Sequence, residues 1–300
     1  MGNNITKKLL GLAVAAVLIF TVLPSLPVAL ADKDKDEDKE KHKDKHDKGK
    51  DRDRDDSDNY NYDDDNDKEK VNHVVCTGAD LTGTLDNVIV PKGATCVLVS
   101  GVLVKGNVKI EVGANFQAVE TYIGSLYADG VANMALQGVT VEGNIEVKGA
   151  GDIGLSGVTV EGNVHVNGAM SIDFSDVTVK GNIETNETLN VVLSDVTVEG
   201  NVQIKKTTVL GNVYISWSMI DGNVEIERQN GGYIEFTGSQ VGGNVKLTKN
   251  HTILESPPIL DGNNIGGNLE CEKNSPAPVP GSPNIVVGKK KGQCSAAAGF

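Results

Sequence analysis

The chain has 300 residues, with 41 acidic against 28 basic side chains and a formal net charge of −13. That length allows one or two domains. The acidic balance, with Arg228 the single arginine after position 70, leaves no basic face to neutralise phosphates and excludes a nucleic-acid partner.

The N-terminus reads as a secretion leader. Lys7 and Lys8 precede an apolar run at 9–23, and Ala29-Leu30-Ala31 is a small-x-small cleavage site. Retained, residues 9–31 would be long enough to anchor in a bilayer. Pro24 and Pro27 favour cleavage, so a mature chain without a membrane span is expected.

Residues 32–70 hold 12 Lys+Arg and 18 Asp+Glu and almost nothing apolar. Such a run cannot offset the entropy of ordering and should be a disordered, solvated tether. Asp32, Asp34 and Asp36 have the spacing that opens a calcium loop, but Glu37 stands where that loop needs glycine. His42 and His46 lie among lysines, a poor setting for a metal. No metal or cofactor is expected.

From residue 71 a repeat takes over. GVTVEGN at 138–144 recurs at 157–163, then as DVTVKGN at 176–182 and DVTVEGN at 195–201. Aligned on the final Asn, the units fall at Asn87, Asn107, Ser125, Asn144, Asn163, Asn182, Asn201, Asn223, Asn244 and Asn268, with an extra Gly211-Asn212. A period near twenty marks a solenoid. Val139-Thr140-Val141 and Ile145-Glu146-Val147 alternate apolar and polar, as one-sided strands do. Between them Gly143-Asn144 must turn the chain, with glycine supplying the positive φ of a corner. A second corner near Gly149-Ala150 or Gly168-Ala169 leads to a third run such as Ile172-Asp173-Phe174.

Stacked in register about 4.8 Å apart, ten such coils of about 19–22 residues make a rod of about 45–50 Å. Crossovers between parallel strands are right-handed. The expected fold is therefore all-β, a right-handed parallel β-helix over 71–294, followed by a tail at 295–300. Asn144, Asn163, Asn182 and Asn201 should form a ladder of carboxamides along the axis. The open ends of such a stack need capping. Cys76 and Cys96 are one coil apart and should bond. Cys271 and Cys294 enclose the proline-rich SPAPVPGSP, and a bond there would hold a return segment over the last coil. With the leader, four such cysteines imply an oxidising compartment.

On these residues the chain resembles a group of secreted microbial right-handed β-helix proteins with V-x-G-N-[VI]-x-[VI] repeats, most of them uncharacterised. The likeness covers about 76–294 and includes the opening CTGADLTGTLDNVIVPKGATC and the closing GGNLECEKNSPAPVPGSPN. It implies the fold and secretion. The same scaffold hosts polysaccharide lyases, glycosidases, adhesins and polymer-forming bactofilins, so the fold does not choose an activity.

Candidate chemistry therefore lies in columns of equivalent residues. Glu142 and Glu161, before the corner glycine, would stand near the separation that a retaining glycosidase uses, though Lys180 and Glu199 continue the column. His165 falls between Glu146 and Glu184, a weak surface candidate for a metal or a charge-paired histidine. Thr121, Thr140, Thr159, Thr178 and Thr197 form one rank of threonines, where ice binding would need two. Tyr214 and Trp217 are the densest aromatic patch, a candidate carbohydrate contact, and Arg228 reads as part of an insertion between coils.

No catalytic constellation stands out. The sequence points to an exported, non-enzymatic rod acting as a cell-surface, matrix or adhesion module, with polysaccharide or other envelope components as partners. The alternative is a carbohydrate-active enzyme or carbohydrate-binding module. End-to-end assembly is a third class, against which the crosslinked, proline-rich terminus argues.

Overall fold

A computed structural model describes residues 73–252, 256–295 and 299–300, all within the unit Asp65–Phe300. The leader at 1–31, the charged run at 32–70 and the histidines His42 and His46 lie outside the described residues.

The repeat builds a parallel β-solenoid of about eleven coils, with no α-helix among the described residues. Three flat faces form each coil. In the central coils one bent strand, Ile145–Ser156, Val164–Ser175 or Ile183–Ser194, supplies two of them. Its first part, from the Gly-Asn corner to Gly149, Gly168 or Glu187, is face A; its second part is face B. The two-residue strands Thr140–Val141, Thr159–Val160, Thr178–Val179 and Thr197–Val198 form face C. Every step between these coils is parallel and in register with the sequence period, as in Ile145↔Val164↔Ile183 and Thr159↔Thr178.

Period-two alternation explains the packing. Ile145, Val147, Ile153, Leu155, Val158 and Val160 are buried, while Glu146, Lys148 and Ser156 face outward. Each fully buried aliphatic side chain contributes about 1.5–3 kcal/mol over its exposed state. One interior column runs the length of the stack: Val90, Ile110, Ala128, Val147, Val166, Thr185, Ile204, Ile226, Leu247, Cys271. Cys76, whose backbone N–H bonds to Ile89, stands at its head.

The corners divide the work of glycine in a way the sequence reading missed. At the Gly-Asn corner, glycine is not in the left-handed region; positive φ is confined to the other two corners. What excludes a side chain there is the neighbouring coil. A Cβ on Gly162 would lie 2.5 Å from Asn144 Oδ1 and 2.6 Å from the Gly143 carbonyl. The second corner does turn at positive φ, at Gly149 and Gly168 and then at Glu187, Lys206, Arg228 and Lys249. Arg228 is thus an ordinary corner residue and not part of an insertion. The third corner follows suit at Gly157, Asp176, Asp195, Trp217 and Gly238.

Both disulfides are formed, Cys76–Cys96 with Cα atoms 5.5 Å apart and Cys271–Cys294 at 5.3 Å. The second encloses a different structure from the one expected. Residues 274–292 form an eleventh coil instead of a return segment: Val279–Pro280 pairs with 259–260, Ile285–Val286 with Asn264–Ile265, and Lys290–Gly292 with 269–271. Its corner has Lys289 in place of Asn, and the Lys289 N–H donates to Asn268 Oδ1 at 2.8 Å. Lys290 occupies the column of Leu269 and is exposed. The presumed tail also joins the domain. Gly299 accepts a hydrogen bond from the Asn284 N–H at 3.0 Å, and Phe300 is buried in the core.

Candidate functional site

The asparagine column forms the expected ladder. Each Oδ1 accepts both the backbone N–H and the Nδ2 of the next coil's asparagine, from Asn144 through Asn163, Asn182, Asn201, Asn223 and Asn244 to Asn268, at 2.8–3.2 Å. Ser125 interrupts it below Asn144. The ladder forms one wall of a shallow groove along face A. Two adjoining segments of about 570 and 520 Å³ share Asn201 and Gln203 and extend from Asn144 and Glu146 to Asn268 and Lys291.

The groove's other wall is the outward column of face A: Glu146, His165, Glu184, Gln203, Glu225, Lys246, Glu270 and Lys291. Stacking therefore brings together the three residues singled out around His165. His165 Nδ1 lies 3.4 Å from Glu184 Oε2, and Lys205 Nζ approaches Glu184 at 3.7 Å and donates to Gln203 Oε1 at 2.9 Å. Further up, Lys246 pairs with Glu225 at 3.4 Å and Lys291 with Glu270 at 3.9 Å. These exposed pairs are each worth little, but from Glu225 to Lys291 they give the wall alternating charge. Among the described residues no group of three or more His, Cys, Asp or Glu side chains is placed to hold a metal ion.

At the edge of face C the carboxylates before the corner glycine are engaged separately. Glu161 accepts an ion-paired hydrogen bond from Lys180, which raises the lysine's pKa above its ordinary value. A hydrogen bond to the Glu142 carboxylate likewise raises the Tyr122 phenol. Two carboxylates tied to different partners are not a free acid–base pair. Thr140 through Thr197 do line up, but Thr121 does not join them. The 18-residue step at Ser125 puts Tyr122 opposite Thr140 and turns Thr121 inward, buried, with no partner for its hydroxyl.

Tyr214 sits half-buried on face B between Val192 and Glu235. Trp217 lies on the third corner, with its indole against Gly238. The two aromatics thus occupy different parts of the coil, face B and the third corner.

Two further ladders, unforeseen from the sequence, lie inside the C-terminal coils. Gln229, Asn250, Asn274 and Gln293 stack behind the second corner, and Ser218, Ser239, Asn263 and Asn284 behind the third. Their amides also bond to interior carbonyls, as Asn250 Nδ2 does to Ile226 at 3.0 Å. The available signal was a Ser, Asn or Gln directly after the positive-φ corner residue, which holds for every rung of the two ladders except Asn284, preceded by Pro283.

These features define a parallel β-solenoid repeat protein with two disulfide-linked ends and a polar groove along one face. No known protein family, curated protein or solved structure matches this chain. No helix among the described residues is long and apolar enough to cross a membrane.

Proposed function

We propose that this chain is an exported, non-enzymatic module of the cell surface or matrix, holding an extended envelope polymer in the groove of face A. The observation that carries this reading is the groove itself. One wall repeats the same carboxamide at one coil spacing, about 4.8 Å, so a chain-like partner can make the same contact with it many times over. Each ladder carboxamide also has a second Nδ2–H that the ladder does not use. The leader read at 1–31 and the likeness to secreted microbial β-helix proteins support export. The two disulfides support an oxidising compartment.

Co-sedimentation of the full chain with insoluble envelope polysaccharide tests the reading. The chain should pellet with the polymer, and the triple variant His165→Ala, Gln203→Ala, Glu225→Ala should remain in solution while melting normally. Equal pelleting of both would overturn the groove assignment. Release of new reducing ends from soluble polysaccharides would instead establish the carbohydrate-active enzyme.

A further inference from the structure

The third corner carries one large side chain that the core does not use. Trp217 takes a backbone position that neighbouring coils give to Asp176, Asp195 and Gly238, at φ 52°. L side chains rarely adopt that region, and a bulky one is held there against strain. The next coil makes room for it: a Cβ on Gly238 would lie 2.7 Å from both Cε3 and Cζ3 of the indole. The ring is thus seated on bare backbone, yet the residue remains 69% exposed.

We infer that the outward face of this indole is the platform of a subsite for an uncharged sugar ring. A flat, firmly seated aromatic face matches the C–H face of a pyranose, and apolar burial on it is favourable. Acceptors for sugar hydroxyls flank it along the same edge: Asp195 on one side and Thr237 on the other, with Ser216 beside it in the chain. Charge decides the class of sugar. Between Asn190 and Gly266 every Lys and Arg (Lys205, Lys206, Arg228, Lys246, Lys249) lies on face A or the second corner. Around Trp217, faces B and C and the corner between them present Asp195, Asp221, Glu235 and Asp261. An anionic glycan is repelled there, while a neutral one is not.

This subsite is on a different edge from the face A groove and goes beyond that reading. Trp217 is the chain's one tryptophan, so its emission reports on this site alone. The full chain is titrated with neutral cello-, manno- and laminari-oligosaccharides and with anionic oligogalacturonate. At least one neutral oligosaccharide should shift the emission saturably, with little dependence on salt. By calorimetry Trp217→Ala should bind about tenfold or more weakly, with an unchanged thermal melt, and Trp217→Tyr should retain part of the affinity. Three results would each overturn the inference: no emission response to any neutral sugar, a stronger response to oligogalacturonate, or a shift with protein concentration alone, which would assign the indole to a second copy of the chain. The triple groove variant should leave the titration unchanged, so the two readings fail separately.

Discussion

Asn163 Oδ1 accepts two hydrogen bonds from Asn182 on the adjoining coil, one from its backbone N–H at 2.9 Å and one from Nδ2 at 3.0 Å. The backbone N–H of the corner asparagine is thereby satisfied by a side chain one coil away, from Asn163 through Asn268. Asn163→Ala removes that acceptor and the donor to Asn144. Stability should fall by about 1 kcal/mol or more, read as a lower urea midpoint with an unchanged slope. An unaltered midpoint would show that water replaces the ladder at no cost.

The two uses of glycine separate by substitution. In Gly162→Ala the new methyl meets fixed backbone and the Asn144 amide, an overpacking cost of about 1–3 kcal/mol. In Gly157→Ala the nearest atoms are 3.8 Å away, and only the left-handed backbone resists, at about 1 kcal/mol. Gly162→Ala should therefore be the more destabilising in parallel melts. The reverse order would refute the steric account of the Gly-Asn corner.

Thr185 stands in the interior column between Val166 and Ile204, 0% exposed, and its hydroxyl has no partner. Thr185→Val keeps the shape and removes the unmet polar group. A stabilisation of about 1–3 kcal/mol is expected by chemical denaturation.

Phe300 is 3% exposed despite being the last residue. Phe300→Ala should cost about 3 kcal/mol. If the variant melts with the parent, the burial of this ring contributes nothing and residues 299–300 revert to a tail.

Asp261 accepts hydrogen bonds from the Ser282 backbone N–H and, secondarily, its hydroxyl, which hold the carboxyl below its ordinary value of 3.8. A depressed folded pKa stabilises the fold above the unfolded value, and that contribution is lost as pH falls through the folded one. Between pH 7 and pH 3 the parent should lose more stability than Asp261→Asn. Equal losses would remove Asp261 from the acid response.

Much of the scaffold was legible in residue order because alternation and period are local signals. Val158-Thr159-Val160 declares its buried side, and a nineteen-residue interval declares what stacks on it. Less legible was anything set by the neighbouring coil. Gly162 looks the same on paper whether it serves φ or clearance. The 18-residue step at Ser125 moved Thr121 from the outer rank to the interior, a shift that constant spacing conceals. The interior ladders through Asn250 and Asn263 emerge only once steps of 21–24 are resolved into coils. His165 and Glu184 were placed together correctly, since both lie in the strictly periodic section, whereas the joining of Asn201 and Gln203 into one groove needed coordinates.

Cys76 and Cys271 belong to one interior column, near its two extremes, and each bonds to a cysteine of the adjoining coil. A linear array whose members touch only their neighbours comes apart from its free ends, where a member is held on one side alone. Here the terminal members are stitched to the next ones inward, so each disulfide lowers the chain entropy that fraying can release. Under oxidising conditions each extremity can loosen only as a closed loop, with a sequence separation of 20 residues between the bonded cysteines in one case and 23 in the other.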